Sequence, residues 1–285
     1  MISLLRSINL RVLTLVCLMT IPAAVTQGEG ATVTAPPGSL IRWATAGTKR
    51  CSMKGRTWPA LQGVCYYPVD LQQTPGLIAI TRWSGVQKES AHISVEPFDY
   101  GTEEIELPNI PQANPTAKDL ARDRRDQILL SKIWNRKEGP PMFTLPIGTP
   151  AMPMPKGKSF GVKRIFNGKP ASQLHTGTDY PTPVGTAVLA VADGMVLLAK
   201  DMFFEGNAVF IGHGDGLVSM YFHLSELKVE TGQQVKKGQS LGRVGSTGRA
   251  TGPHLFFGVR WHDARINPDL LLGEPGRIPS VVSNK

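Results

Sequence analysis

The sequence predicts a mainly β protein with a single helix, and three observations carry that expectation. Short segments rich in β-branched and aromatic residues recur from about residue 31, punctuated by turns containing proline or glycine. One stretch, residues 114–136, opens with a helix-start signal and stays free of glycine and proline until Gly139-Pro140-Pro141. From Phe160 onward the turns become dense, and strand follows strand with no helix between them, which implies an antiparallel sheet or barrel. At 285 residues, one large or two modest domains are expected, and a hydrophobic fraction of 41% supplies real cores.

Taken in order, residues 1–27 read as a secretory signal. Arg6 and Arg11 give the positive start, and Val12–Ile21 is an apolar run too short to span a bilayer comfortably. Ala23 or Ala24 could precede the cut, Pro22 leaves the bond open, and an uncleaved membrane anchor is the competing reading. Cys17 follows the bulky Val16 and is a poor lipidation site. Removing the signal leaves Cys51 and Cys65, an even pair that in an exported protein favours a disulfide, with two buried free thiols as the alternative. Its loop of about fifteen residues would contribute roughly 3 kcal/mol.

Residues 28–112 form an expected small β-sandwich-like domain. Its strands are Leu40–Ala44, Val64–Val69, Gly76–Trp83 and His92–Pro97, with turns at Pro36-Pro37-Gly38, Thr74-Pro75-Gly76 and Asp99-Tyr100-Gly101. His92 reads as an ordinary strand or surface histidine. Residues 113–156 are a connector. Asn114 is its expected cap, Pro115 its first-turn proline, and the helix runs to about Arg136. Its interleaved charges, Lys118, Arg122, Arg124, Arg125, Lys132 and Arg136 with Asp119, Asp123 and Asp126, suit a solvated face, or alternatively an envelope-binding one. Gly139–Lys158 is proline-rich and reads as an extended connector rather than core. Residues 157–275 are the C-terminal domain, with expected hairpins at Ala192-Asp193-Gly194 and Gly214-Asp215-Gly216. Residues 276–285 are a tail. The formal charge of +9 favours anionic partners or merely solubility. No nucleic-acid motif accompanies it, so nucleic acid is set aside, and an anionic cell envelope suits the charge.

Four of the six histidines lie between His175 and Arg260. Three of them sit in His175-Thr176-Gly177-Thr178-Asp179, Tyr221-Phe222-His223-Leu224 and Gly252-Pro253-His254-Leu255-Phe256. Imidazole and carboxylate at dispersed strand ends suggest a zinc hydrolase. In a regular strand, residues four apart are separated by about 13 Å. His175 and Asp179 can therefore share a metal only if the chain bends, and Gly177 offers that freedom. His254 and Phe256, two apart, face the same way. His213, before the Gly-Asp-Gly turn, reads as structural. His262 and Asp263 could supply a further ligand only if the chain folded back.

These motifs, from about Gly157 to Leu272 and including the run Val235-Lys236-Lys237-Gly238-Gln239, resemble the catalytic domain of the LytM/lysostaphin family of zinc metalloendopeptidases, which cut peptide cross-links in bacterial cell walls. The resemblance implies a LytM-like β-sheet or barrel-sandwich domain and peptidoglycan as partner. It also implies zinc held by His175 and Asp179, with His223 and His254 assisting catalysis. The family pattern ends His-x-His and its second histidine binds zinc, whereas this chain has Phe256, whose ring has no lone pair to donate. Gly258 stands where many relatives have glutamate, which is not a metal ligand. The expectation is weak or absent zinc binding and reduced hydrolysis. Two functions follow: an exported endopeptidase of lowered activity, or a catalytically degenerate protein that binds the wall or activates another wall hydrolase. Val229–Gly242 also resembles hairpins of biotinyl or lipoyl carriers, but such a carrier needs a lysine at the hairpin tip, and Ala192-Asp193-Gly194-Met195 offers none.

Overall fold

A computed structural model of the chain describes residues 30–137 and 139–282; the expected signal and Cys17 lie outside them. Seven strands build the N-terminal lobe: β1 (Thr32–Ala35), β2 (Leu40–Ala44), β3 (Thr48–Met53), β4 (Arg56–Pro59), β5 (Val64–Pro68), β6 (Gly76–Ser84) and β7 (Gln87–Val95). A sheet in the order β1-β7-β6-β3-β4 packs against the β2-β5 pair. Alternation decides the facing. Ile78 and Ile80 on β6, and Ala91, Ile93 and Val95 on β7, all point into one core with Ile41, Trp43 and Tyr67. Cys51 and Cys65 are both fully buried there and are paired, with Cα atoms 5.5 Å apart. Strands β3 and β4 escape the sequence reading because Thr48–Met53 has little apolar alternation. Their turn is set by Lys54 and Gly55, both at positive φ (51° and 76°), which matches the twist of a tight hairpin.

The remaining strands are β8 (Thr102–Ile105), β9 (Lys163–Phe166), β10 (Lys169–Pro170), β11 (Thr178–Tyr180), β12 (Ala187–Leu189), β13 (Gly194–Met202), β14 (Gly206–Gly212), β15 (Leu217–Leu227), β16 (Gln234–Val235), β17 (Ser240–Val244), β18 (Leu255–Trp261) and β19 (Ala264–Ile266). The last nine of these form the C-terminal sheet, with the path β11-β18-β15-β14-β13-β16; β17 joins β12 to β15, and β19 pairs with β18. Every pairing within it is antiparallel. The protein is mainly β, as expected. The hairpin around Gly214-Asp215-Gly216 is present as β14-β15. The one expected at Ala192-Asp193-Gly194 is not: β12 pairs with β17, while β13 pairs with β14 and β16. Asp193 instead accepts from the Lys237 N–H (2.9 Å) and pairs with Lys236 (2.8 Å), so the turn is tied to the segment around β16.

One face of this sheet closes the main core through Val209, Ile211, Tyr221, Leu255, Phe257 and Val259. The other face carries Ala208, Phe210, Met220 and Phe256, and a helix, α1 (Ala117–Trp134), covers part of it with Leu130 and Ile133. The cap of α1 is Thr116 rather than Asn114. Thr116 Oγ1 accepts from the Asp119 N–H (3.3 Å), and the Asp119 carboxylate accepts from the Thr116 N–H (3.0 Å), a reciprocal box that outcompetes a lone asparagine. Nor is the helix simply solvated, because Asp126 is fully buried and accepts from Lys200 Nζ (2.7 Å) and the Phe203 N–H (3.0 Å). The proline-rich stretch after it is extended, but it is not outside the core: Phe143, Ile147 and Ala151 are buried in it. Proline removes donors and leaves the side chains free to pack, so the segment wraps the domain instead of spanning open solvent. Two short C-terminal turns of helix, α2 (Asp269–Leu272) and a 3₁₀ turn at Pro275–Arg277, lead to Pro279 and Val281, which hydrogen-bond with Arg42 of β2.

Candidate active site

Four side chains named from the motifs converge. His175 is held by its backbone: its N–H donates to Val162 O (3.0 Å), and its carbonyl accepts from Gly161 N–H (2.8 Å). Its Nδ1–H donates to Ser159 O (2.9 Å), which leaves Nε2 as the lone-pair nitrogen. That nitrogen lies 3.4 Å from Asp179 Oδ1. His254 reaches the same oxygen with Nε2 at 3.6 Å, its Nδ1 held by Gly252 O (2.9 Å). His223 is oriented alike, with Nδ1 on Thr247 O (2.9 Å), and its ring centre is 4.7 Å from that of His254. The chain delivers His223 at φ +65°, a left-handed conformation rare for a side chain with a β-carbon, within a strand whose register shifts near this point.

The electrostatics follow from burial. Desolvation pushes the His175 imidazole down to about 4, against the pull of Asp179, and pushes His223 down to about 3, with the neighbouring His254 adding to the fall. Both are neutral near pH 7. Burial alone would raise the Asp179 carboxyl, but His175 and Arg164 outweigh it and keep the group ionised. Arg164 was not legible as a site residue. It arrives on β9, which pairs in parallel with β8, and it bridges Asp179 Oδ2 (2.5 Å) and Glu103 (3.2 Å). No local pattern marks a lysine-flanked arginine fifteen residues before its carboxylate partner.

Phe256 stands directly opposite Asp179 in the β11-β18 register. Its ring is 4% exposed, lies parallel on Phe222 at 4.5 Å and meets the His175 ring edge-on at 5.1 Å. Gly177 makes room for it: a β-carbon there would lie 2.4 Å from Phe256 Cζ. The freedom that Gly177 supplies is thus close approach, not an unusual φ.

Does this donor set fit a metal? Asp179 Oδ1 is buried and has no hydrogen-bond partner, and it faces two imidazole nitrogens, which suits a cation. A catalytic zinc, however, takes three protein ligands and an open position. Among the described residues no group of three or more His, Cys, Asp or Glu side chains is arranged to hold a metal ion. The phenyl ring occupies the face beside Asp179 where the family pattern places the third donor. The residues fit two anchoring donors and not the full shell.

The remaining histidines lie outside the cluster. His213 is fully buried, with Nδ1 on Asp193 O and Nε2 on Ser219 Oγ (both 2.7 Å). His262 sits at φ +47° in the β18-β19 turn, its ring 4.3 Å from Trp58 of the N-terminal lobe, so it does not fold back to position 256. His92 lies on β7 opposite Ala79.

The sequence profile of peptidase family M23 matches residues 173–268, the span holding all four converging side chains. The chain is 39% identical over 110 residues to the peptidoglycan DD-endopeptidase ShyC of Vibrio cholerae, covering 39% of this chain and 25% of that protein. It is 45% identical over 96 residues to the DD-carboxypeptidase/endopeptidase Mpg of Neisseria meningitidis, covering 34% of this chain and 22% of that one. It therefore spans about a quarter of the length of these curated relatives. A Pseudomonas aeruginosa crystal structure assigned to peptidase M23 superposes with a TM-score of 0.62 at 29% identity, covering 83% of this chain and 94% of that one.

Proposed function

We propose, from the match of residues 173–268 to peptidase family M23, an exported protein directed at the peptide cross-links of peptidoglycan, in which zinc-dependent hydrolysis is strongly reduced. Its main role is then to bind wall peptide or to act through a second wall hydrolase. The relatives named as peptidoglycan endopeptidases support the substrate class. The observation that carries the loss of hydrolysis is the Phe256 ring packed between Phe222 and His175. Zinc, where it is fully held, supplies a Lewis acid and a water of lowered pKa. Changes behind the ligands alone typically cost about 10–100-fold, and loss of a ligand costs more. What persists is the neutral imidazoles of His175 and His223 beside the ionised Asp179 carboxylate, which can hydrogen-bond an amide without cleaving it.

The rest of the reading belongs together. A signal over residues 1–27, an oxidising periplasm or envelope, the Cys51–Cys65 bond and a basic chain against an anionic wall are mutually consistent. We read residues 28–112 as the N-terminal β domain, 113–156 as helix and connector, 157–275 as the M23 domain and 276–285 as the tail. The test is zinc content of the purified mature protein by mass spectrometry, together with muropeptide release from sacculi, before and after Phe256→His. The expected result is well below one zinc per chain and little release for the natural protein, with both rising in the variant. Equal turnover in the two proteins, or a full zinc equivalent in the natural one, overturns the reading.

A further inference from the structure

Next to the M23 cluster lies a cleft of about 460 Å³ that the peptidase motifs do not explain. Its walls are Phe98, Asp99 and Tyr100 from the end of the N-terminal lobe, with Gly161, Lys163 and Leu174 from the segment leading into the site. The volume suits a peptide-sized ligand. We propose that this cleft is a subsite for a wall-peptide residue bearing a free carboxylate, which Lys163 receives while the residue's aliphatic part lies on Phe98 and Tyr100; this rests on the peptidoglycan reading above.

The cleft is built rather than incidental. Tyr100 is fixed by its hydroxyl, which donates to Pro37 O (2.5 Å), and by an edge-on contact with Phe160 at 5.6 Å. Its ring lies so close over Gly161 (φ +78°) that a β-carbon there would come within 2.4 Å of it. Phe98 packs edge-on against Tyr100 at 4.6 Å yet stays 57% exposed. Single exposed apolar side chains are ordinary on a protein surface; what sets Phe98 apart is that Tyr100 holds it at the wall of the cleft. The floor is continuous with the cluster: Leu174 precedes His175, and the Gly161 N–H donates to His175 O while the His175 N–H donates to Val162 O. The cleft and His175 therefore share one hydrogen-bonded stretch of backbone.

Charge selects the occupant. Lys163 is exposed, and its ammonium makes no hydrogen bond or ion pair with the described residues. Water solvates it in the free protein, and a free carboxylate of the wall peptide complements its charge. Asp99 also lines the cleft, with Oδ1 accepting from the Gly101 N–H (2.9 Å). It disfavours a purely anionic ligand and suits one that offers an amide or ammonium N–H beside its carboxylate.

The experiment compares binding of a synthetic tetrapeptide stem of L-alanine, γ-linked D-glutamate, diaminopimelate and D-alanine, with free carboxylates and in fully amidated form, to the mature full chain by calorimetry. Sedimentation with whole sacculi is measured in parallel. The free form is expected to bind roughly three- to ten-fold more tightly than the amidated one, in the range of one charge contact near a surface. Lys163→Gln should erase that preference, Lys163→Arg should keep it, and Phe98→Ala should weaken both forms. Both positions are exposed, so the variants fold. Sacculus binding with equal affinity for the two peptides, or an unchanged preference in Lys163→Gln, overturns the subsite alone. Absence of sacculus binding overturns the peptidoglycan reading and the subsite with it.

Discussion

At the scale of single residues, the site is shaped by a ring and a missing β-carbon. Gly177 and Phe256 interlock, so Gly177→Ala should destabilise by about 1–3 kcal/mol through overpacking. Part of that cost comes from Phe257 O, also 2.8 Å from the added carbon, so it should fall by about 1 kcal/mol, not vanish, in a Phe256→Ala background. A double-mutant cycle in urea reads the coupling; additive costs would show that the two positions do not touch. His213 offers a second test. Burial holds its imidazole at about 4, below the ordinary 6.5, so the folded state resists a proton that the unfolded chain takes up. Stability is complete above pH 6.5 and declines as pH falls toward 4, by up to about 3 kcal/mol from this group. His213→Gln should flatten that part of the pH–stability curve relative to the natural protein. An unaltered slope would assign the acid sensitivity elsewhere.

At the scale of elements, α1 is held by one buried carboxylate. Replacing Asp126 by alanine strands the Phe203 N–H and removes the partner of Lys200, which should cost about 2–4 kcal/mol. Because α1 shields Phe210 and Met220, amide exchange in β14 and β15 should quicken with that in the helix. Faster exchange in the helix alone would mean that it caps nothing. The helix also illustrates how local signals mislead. Asn114-Pro115 is a sound start signal, yet Thr116, two residues on, completes a two-way box with Asp119, and two satisfied donors outweigh one.

At the scale of the whole molecule, the lobe and the C-terminal domain share a core. Strand β2 turns Ile41 and Trp43 toward the lobe and Leu40 toward the domain, where Tyr66 of β5 meets Trp261 at 5.5 Å. Asp70 receives Arg265 through both oxygens, at 2.6 and 2.9 Å, outside the apolar contact. Calorimetry of the mature chain should therefore show a single unfolding transition, and two separated transitions would refute the shared core. Replacing Cys51 and Cys65 together by alanine should lower stability by roughly 3 kcal/mol, the closure entropy of a loop this size, measured against the oxidised protein.

The sequence by itself determined the mainly β class, the order of the motifs, the residues that meet at the site and the hydrocarbon at position 256. The class, the motif order and position 256 are properties of residue type, spacing and strand period, which are local; the residues that meet at the site were implied by the family resemblance. It could not determine that β12 joins β17 instead of β13, that Phe143, Ile147 and Ala151 of the connector enter the core, or that Arg164 pairs with Asp179. Those were decided by tertiary structure alone, because strand partners, buried faces and ion pairs between distant segments depend on which surfaces meet, and no window of neighbouring residues records that.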